Sequence, residues 1–128
     1  MSPAPREPAA PNHRRALGER GEALAAQWYA TAGYEILDRN WRCRAGELDL
    51  ILGRGHALVF CEVKTRSSQR FGAPIEAISR EKSQRIRRLA ALWLSESELR
   101  GRELRFDVAS VMVERGCAPV IEIIEGAF

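Results

Sequence analysis

Residues 46–66, GELDLILGRGHALVFCEVKTR, read as two short apolar strands joined by a Gly-Arg-Gly-His turn at 53–56, and the rest of the chain is organised around them. Side chains on a strand alternate between its faces, so Glu62 and Lys64 share one face and Val59, Cys61 and Val63 the other. The same count puts Leu48 with Leu50, and Glu47 with Asp49 and Ile51. Folded back through Gly53–Gly55, the two strands bring Asp49 near Glu62 across the ladder. Two carboxylates on one face repel, and burying an unpaired charge is costly. A hard divalent cation such as Mg²⁺, which prefers carboxylate, carbonyl and water oxygens, resolves that conflict. Ion-paired strand residues on an exposed face account for the same pattern, and the hairpin alone leaves both readings open.

At 128 residues the chain makes one domain with room for a real core. Its 45% hydrophobic and 29% charged residues are ordinary for a soluble globular protein. The net charge of +3 permits a polyanionic partner without requiring one. No apolar run approaches the roughly 20 residues that a membrane-crossing helix needs, and the first residues lack the apolar centre of a signal peptide. Cys43, Cys61 and Cys117 are odd in number and widely spaced, without a C-x-x-C pair or a neighbouring histidine. That argues against a disulfide framework or structural zinc and leads us to expect a reducing, cytoplasmic setting.

Residues 1–14 are proline- and alanine-rich, with no large apolar residue after Met1, and read as a disordered tail ahead of a single domain at 15–128. From about Ala16 to Ala32 the period becomes helical, with Leu17, Gly21, Leu24, Ala25, Trp28 and Ala32 on one stripe and Gly33 closing the helix. Glu22 flanks that stripe, able to look round toward whatever the helix packs on. Tyr34–Cys43 reads as a strand with a bulge near Asn40, studded by Arg39, Arg42 and Arg44 around Trp41. After a polar loop at 65–73, a second helix runs from its N-cap Ser79 to Ser95, with Ile86, Leu89, Ala90 and Trp93 as its core stripe. Its first turns carry Arg80, Lys82, Arg85, Arg87 and Arg88 against Glu81 alone. Most of that charge suits a solvated face. Lys82 lies on the stripe side in the first turn, where a helix N-terminus is itself favourable to anions. Residues 104–113 and 120–124 read as further strands, with Asp107 a hydrogen-bonded structural aspartate or a distant supporting carboxylate. Helix, three strands, helix, two strands: this order gives a mixed sheet with helices packed against it.

The series GE at 21–22, GELDLI at 46–51 and VFCEVKTR at 59–66 resembles the PD-(D/E)xK nuclease superfamily, specifically its YraN-like (UPF0102) branch, related to archaeal Holliday-junction resolvases. The resemblance continues through RFGAPIEAI (70–78), the basic helix from Lys82, RFDV (105–108) and IEGAF (124–128), covering about residue 16 to the C-terminus. It implies an α/β fold with a restriction-endonuclease-like core, a mixed central sheet of about five strands flanked by helices. Position by position, it makes Glu22 the first-helix acid, Asp49 the central metal-binding acid, and Glu62 with Lys64 the (D/E)xK element. The proline of the named motif is absent, since Leu48 precedes Asp49, as elsewhere in the branch.

What the resemblance implies is a metal-dependent endonuclease. Asp49, Glu62 and the backbone carbonyl of Val63 would hold Mg²⁺ or Mn²⁺, with Glu22 reaching it directly or through water. Lys64 would orient the attacking water, and Arg66, Lys82 and Arg85 would contact the phosphate backbone, which sets affinity and carries little sequence information. The expected partner is therefore DNA, recognised by branched, flapped or single-stranded shape, with no membrane. Junction resolvases cut two strands symmetrically, so analogy suggests a homodimer. A nucleic-acid-binding module that keeps the fold without cutting is the alternative.

Overall fold

The computed structural model describes residues 11–67, 78–99 and 101–128. Seven elements follow in order: α1 (Pro11–Thr31), β1 (Glu35–Cys43), β2 (Gly46–Arg54), β3 (Ala57–Arg66), α2 (Arg80–Ser95), β4 (Glu103–Met112) and β5 (Val120–Ile124). Of the expected tail at 1–14, residues 1–10 lie outside the described residues, as do the loop residues Arg70 and Pro74 and most of RFGAPIEAI, whereas 11–14 belong to α1.

The strands form one mixed sheet in the order β1-β2-β3-β4-β5. β1, β2 and β3 make an antiparallel meander, and β4 returns parallel to β3 after the crossover through α2. β5 closes the sheet antiparallel to β4. The chain is α/β, as its element order predicts, with one helix on each face. Under α1 lie Leu50, Leu52, Val59, Cys61 and Val111, packed on its Ala25 and Tyr29. Under α2 lie Leu48, Ile51, Leu58, Phe60 and Phe106, packed on Ile86, Leu89, Ala90 and Trp93. Strands β2, β3 and β4 are thus covered on both sides, which is why they read as near-continuous apolar runs.

Local chemistry fixes the helix ends. Ser79 caps α2 by accepting a hydrogen bond from the Lys82 N–H at 3.1 Å. α1 ends where Gly33 turns left-handed (φ 94°). There the Tyr34 N–H reaches the Tyr29 carbonyl at 2.9 Å and the Gly33 N–H reaches that of Ala30 at 3.1 Å. α1 begins at Pro11, earlier than the hydrophobic period indicates, and proline is well suited to a first helical position. No described helix is long and apolar enough to cross a membrane.

The α1 stripe corrects one expectation. Trp28 is 36% exposed, while Tyr29 is fully buried beside it. The helix is rotated because the Tyr29 hydroxyl donates a 2.7 Å hydrogen bond to the buried Asp107 carboxylate. Arg105 grips the same carboxylate with two 2.9 Å bonds, and the Gly126 N–H adds a third donor at 3.1 Å. Asp107 is therefore a structural aspartate. It joins α1, β4 and the C-terminal residues.

Candidate active site

Strand geometry places the acidic residues. Leu50 and Leu52 pack under α1, but Leu48 packs with Ile51 under α2. Simple alternation puts Leu48 and Leu50 on one face, so the phase of β2 slips between them, at Asp49. The residue opposite in β1 is Asn40, flanked by the pairs Arg39–Leu50 and Trp41–Leu48. Asn40 is the one described residue other than glycine with a positive φ, 51°. A separate bulge lies between Ile36 and Asp38.

At the same level β2 and β3 part. Their ladder stops at Leu50–Cys61, one step before Asp49 and Glu62 would pair. The Val63 N–H beyond that break donates instead to the Asp49 Oδ2 at 2.9 Å. A side chain thereby replaces a ladder carbonyl, and Asp49 is tied to β3 beside Glu62, as the hairpin register predicts.

The two carboxyl groups line the same groove and act on each other electrostatically. Burial is the leading reason that the Asp49 carboxyl is pushed up to about 8, and the charge of Glu62 is the next; the Val63 N–H opposes both, and Glu22 adds to the rise. Glu62 is also met from α2 by the Lys82 Nζ at 3.4 Å, with side-chain exposures of 16% for Glu62 and 41% for Lys82.

Glu22 approaches from the other helix. Gly21 lets α1 lie directly on β3, because a Cβ there would overlap the Thr65 Oγ1 and stand 2.7 Å from the Thr65 Cβ. Burial raises the Glu22 carboxyl, as do its neighbours Glu47 and Glu19, while a hydrogen bond from Asn40 and the charge of Arg39 pull it down.

Two grooves open at this point. One of about 560 Å³ is lined by Glu22, Asn40, Arg39, Arg42 and Glu47, among others. The second, of about 200 Å³, is lined by Asp49, Glu62, Lys82 and Arg85. Glu47 lines both, and Arg42 holds it with a 2.6 Å salt bridge. Asp49 and Glu62 are thus reachable from outside, between α2 and the start of β2.

The structure brings together Asp49, Glu62, the Val63 backbone, Lys82 and Arg85, with Glu22 acting on Asp49 electrostatically. Lys64 falls on the Glu62 face by strand alternation and makes no ion pair within 4 Å among the described residues. Arg66 stands at the far end of β3, where its carbonyl accepts from the Val113 N–H at 2.7 Å. No three His, Cys, Asp or Glu side chains among the described residues are grouped to hold a metal ion. The donors in place are two carboxylates and a backbone strand end, and two carboxylates match what Mg²⁺ ordinarily takes from protein. By donor chemistry they fit a hard cation. Read from sequence alone, Asn40 has only a bulge and Glu47 only a place on the Asp49 face, and neither has a role in the site; a mid-strand asparagine, tolerant of left-handed backbone, is the available signal for the first.

Residues 21–111 match the family described as "Uncharacterised protein family UPF0102". A UPF0102 protein of Nocardia farcinica is 50% identical over 115 residues, covering 90% of this chain and 91% of its own. One from Frankia casuarinae is 55% identical over 115 residues, with 88% and 96% covered. One from Moorella thermoacetica is 48% identical over 116 residues, with 90% and 97% covered. The matched span holds Glu22, Asn40, Asp49, Glu62, Lys64 and Lys82 together. By sequence and coverage, the chain belongs to the UPF0102 family.

Proposed function

We propose that this protein is a metal-dependent endonuclease that hydrolyses phosphodiester bonds in DNA, selecting branched, flapped or single-stranded shape over base sequence, in a reducing, cytoplasmic setting. The observation that carries the reading is the Asp49–Glu62 pair, two carboxyl groups brought side by side by the Val63 N–H bond to Asp49, in a groove that also presents Lys82 and Arg85. Asp49, Glu62 and the Val63 carbonyl are the residues to hold Mg²⁺ or Mn²⁺, with Glu22 reaching it directly or through water. When bound, such an ion supplies Lewis acidity to a phosphate and acidifies a water.

The chain's own groups do the rest. The Val63 N–H fixes the Asp49 carboxylate in its orientation at 2.9 Å. Lys64, on the Glu62 face and outside any ion pair among the described residues, orients the attacking water and offsets charge in the transition state. A compact ammonium suits that role better than the broad fork of arginine. Lys82, Arg85 and Arg66 contact phosphates of the backbone. Lys82 must leave Glu62 to do so, and binding of a cation at Glu62 favours that release.

One observation favours a second reading, a nucleic-acid-binding module that does not cut. The Lys82–Glu62 ion pair already compensates one of the acids without a metal. Two measurements separate them. The nuclease cleaves flapped or junction DNA in Mn²⁺, and loses that activity in Asp49→Ala, Glu62→Ala and Lys64→Ala. The binder shows no Mn²⁺ affinity in calorimetry, and holds DNA as well or better when Asp49 and Glu62 are neutralised. Cleavage surviving all three changes would refute the proposed chemistry.

A further inference from the structure

Glu22 is the least anchored of the acids. Asp49 has a backbone N–H and Glu62 has Lys82, whereas Glu22 projects from a helix flank on a side chain of three rotatable bonds. Its acidic neighbours Glu19 and Glu47 repel it. Burial also works against its charged form. Left to itself, such a carboxylate turns outward to water.

The group placed to oppose this is the Asn40 carboxamide, which lines the same groove as Glu22 and pulls its carboxyl back down. Asn40 sits at an unusual place in β1. The pairs on either side of it, Arg39–Leu50 and Trp41–Leu48, set it level with Asp49 on the adjacent strand. Neighbouring strands run about 4.8 Å apart, so a group tethered to Asn40 is registered against Asp49. Its left-handed backbone, φ 51°, redirects the strand there. Asparagine adopts that conformation more readily than any larger residue, and its short side chain delivers a neutral donor. Aspartate tolerates the same backbone but would bring another negative charge into the groove that already holds Glu19, Glu22 and Glu47.

We propose that Asn40 is a positioning residue: from the left-handed turn of β1 opposite Asp49, its carboxamide holds the Glu22 carboxylate toward the Asp49–Glu62 pair. The inference about the metal rests on the function proposed above, whereas the contact itself does not, so two measurements are needed.

The first is a double-mutant cycle on the full chain, with MnCl₂ titrated calorimetrically into wild type, N40G, E22Q and E22Q/N40G. Glycine keeps the left-handed backbone and removes only the amide. Partners that orient a metal ligand commonly contribute tenfold or more to affinity, so N40G is expected to weaken Mn²⁺ binding about tenfold. The double variant should bind no more weakly than E22Q, because without the carboxylate there is nothing for Asn40 to hold. Additive losses, or an unchanged N40G affinity, would overturn the proposal. The second measurement needs no metal. The side-chain NH₂ resonances of Asn40 should move in E22Q and stay in place in E19Q. Resonances indifferent to Glu22 would refute the positioning role. A wild-type protein that takes no Mn²⁺ would instead remove the metal reading, and the spectra alone would then decide the role of Asn40.

Discussion

Replacing Asp49 by asparagine is expected to stabilise the metal-free protein above neutral pH while abolishing its response to Mn²⁺. The Asp49 carboxyl rises from an ordinary 3.8 to about 8 because it is buried beside Glu62. A group whose proton affinity is raised by folding contributes stability that is fully present below its unfolded-state value and is lost as pH climbs through its folded-state value. The wild-type contribution therefore declines between about pH 4 and pH 8 and is flat beyond. At about 1.4 kcal/mol per pH unit of displacement, the ceiling is about 6 kcal/mol. Relaxation and water entry from the groove reduce such penalties, and we expect about 2–3 kcal/mol to be observed. Asparagine retains an acceptor for the Val63 N–H and offers a donor to Glu62, so it removes the charge without removing the contacts. The assay is urea unfolding of both proteins in a chelator, across pH 4.5 to 9. The Asp49→Asn advantage should be near zero at the acid end and full at the alkaline end, equivalent to roughly 8 °C in melting temperature. Added Mn²⁺ should then raise the melting temperature of the wild type alone, reversing the order. A variant destabilised equally at every pH would show that burial beside Glu62 does not raise the Asp49 carboxyl, and the electrostatic case for a cation would fall with it.

Two further outcomes test the scaffold. Gly21→Ala ordinarily gains about 1 kcal/mol in a helix interior. Here the new Cβ meets the short, branched Thr65 side chain, which cannot swing clear. A net loss of about 1–3 kcal/mol is expected in chemical denaturation, partly recovered in Gly21→Ala/Thr65→Ala; a net gain would mean that α1 does not lie so close to β3. Tyr29→Phe removes one of the donors to the buried Asp107 carboxylate and should cost about 1.5–3 kcal/mol. A neutral result in the same assay would show that Arg105 and the Gly126 N–H suffice.

Where one element decides its own geometry, the sequence is a sound guide. The α2 stripe Ile86, Leu89, Ala90 and Trp93 is buried as its period requires, and Ser79 caps it. The hairpin is legible for the same reason: a two-residue turn at Gly55–His56 fixes the Arg54–Ala57 pair, and counting back sets Asp49 against Glu62. The rotation of α1 is not legible, because it answers to Asp107, 78 residues away, whose need for the Tyr29 hydroxyl has no signature in the helix period. Leu48 is misplaced by alternation for a related reason. Period two holds along an unbroken strand, and β2 breaks.

That break is also what makes a site of the acidic pair. In a continuous ladder the Val63 N–H would meet a β2 carbonyl, and the Asp49 carboxylate would stand off the sheet as an ordinary strand side chain. With the ladder ended at Leu50–Cys61, the freed N–H captures the carboxylate and draws it in beside Glu62. Asn40 turns left-handed at the same level, and the slip runs through both strands. Two neighbouring strands abandoning their phase together, at the residues that carry the carboxyl group and the amide, is a costly arrangement for structure alone. A hydrophobic residue at 49 and a regular β1 would make a more stable sheet, with no buried charge to compensate. Residues that oppose local stability in concert mark the place where the fold serves something other than itself, and here they stand level on adjacent strands, at Asn40 and Asp49.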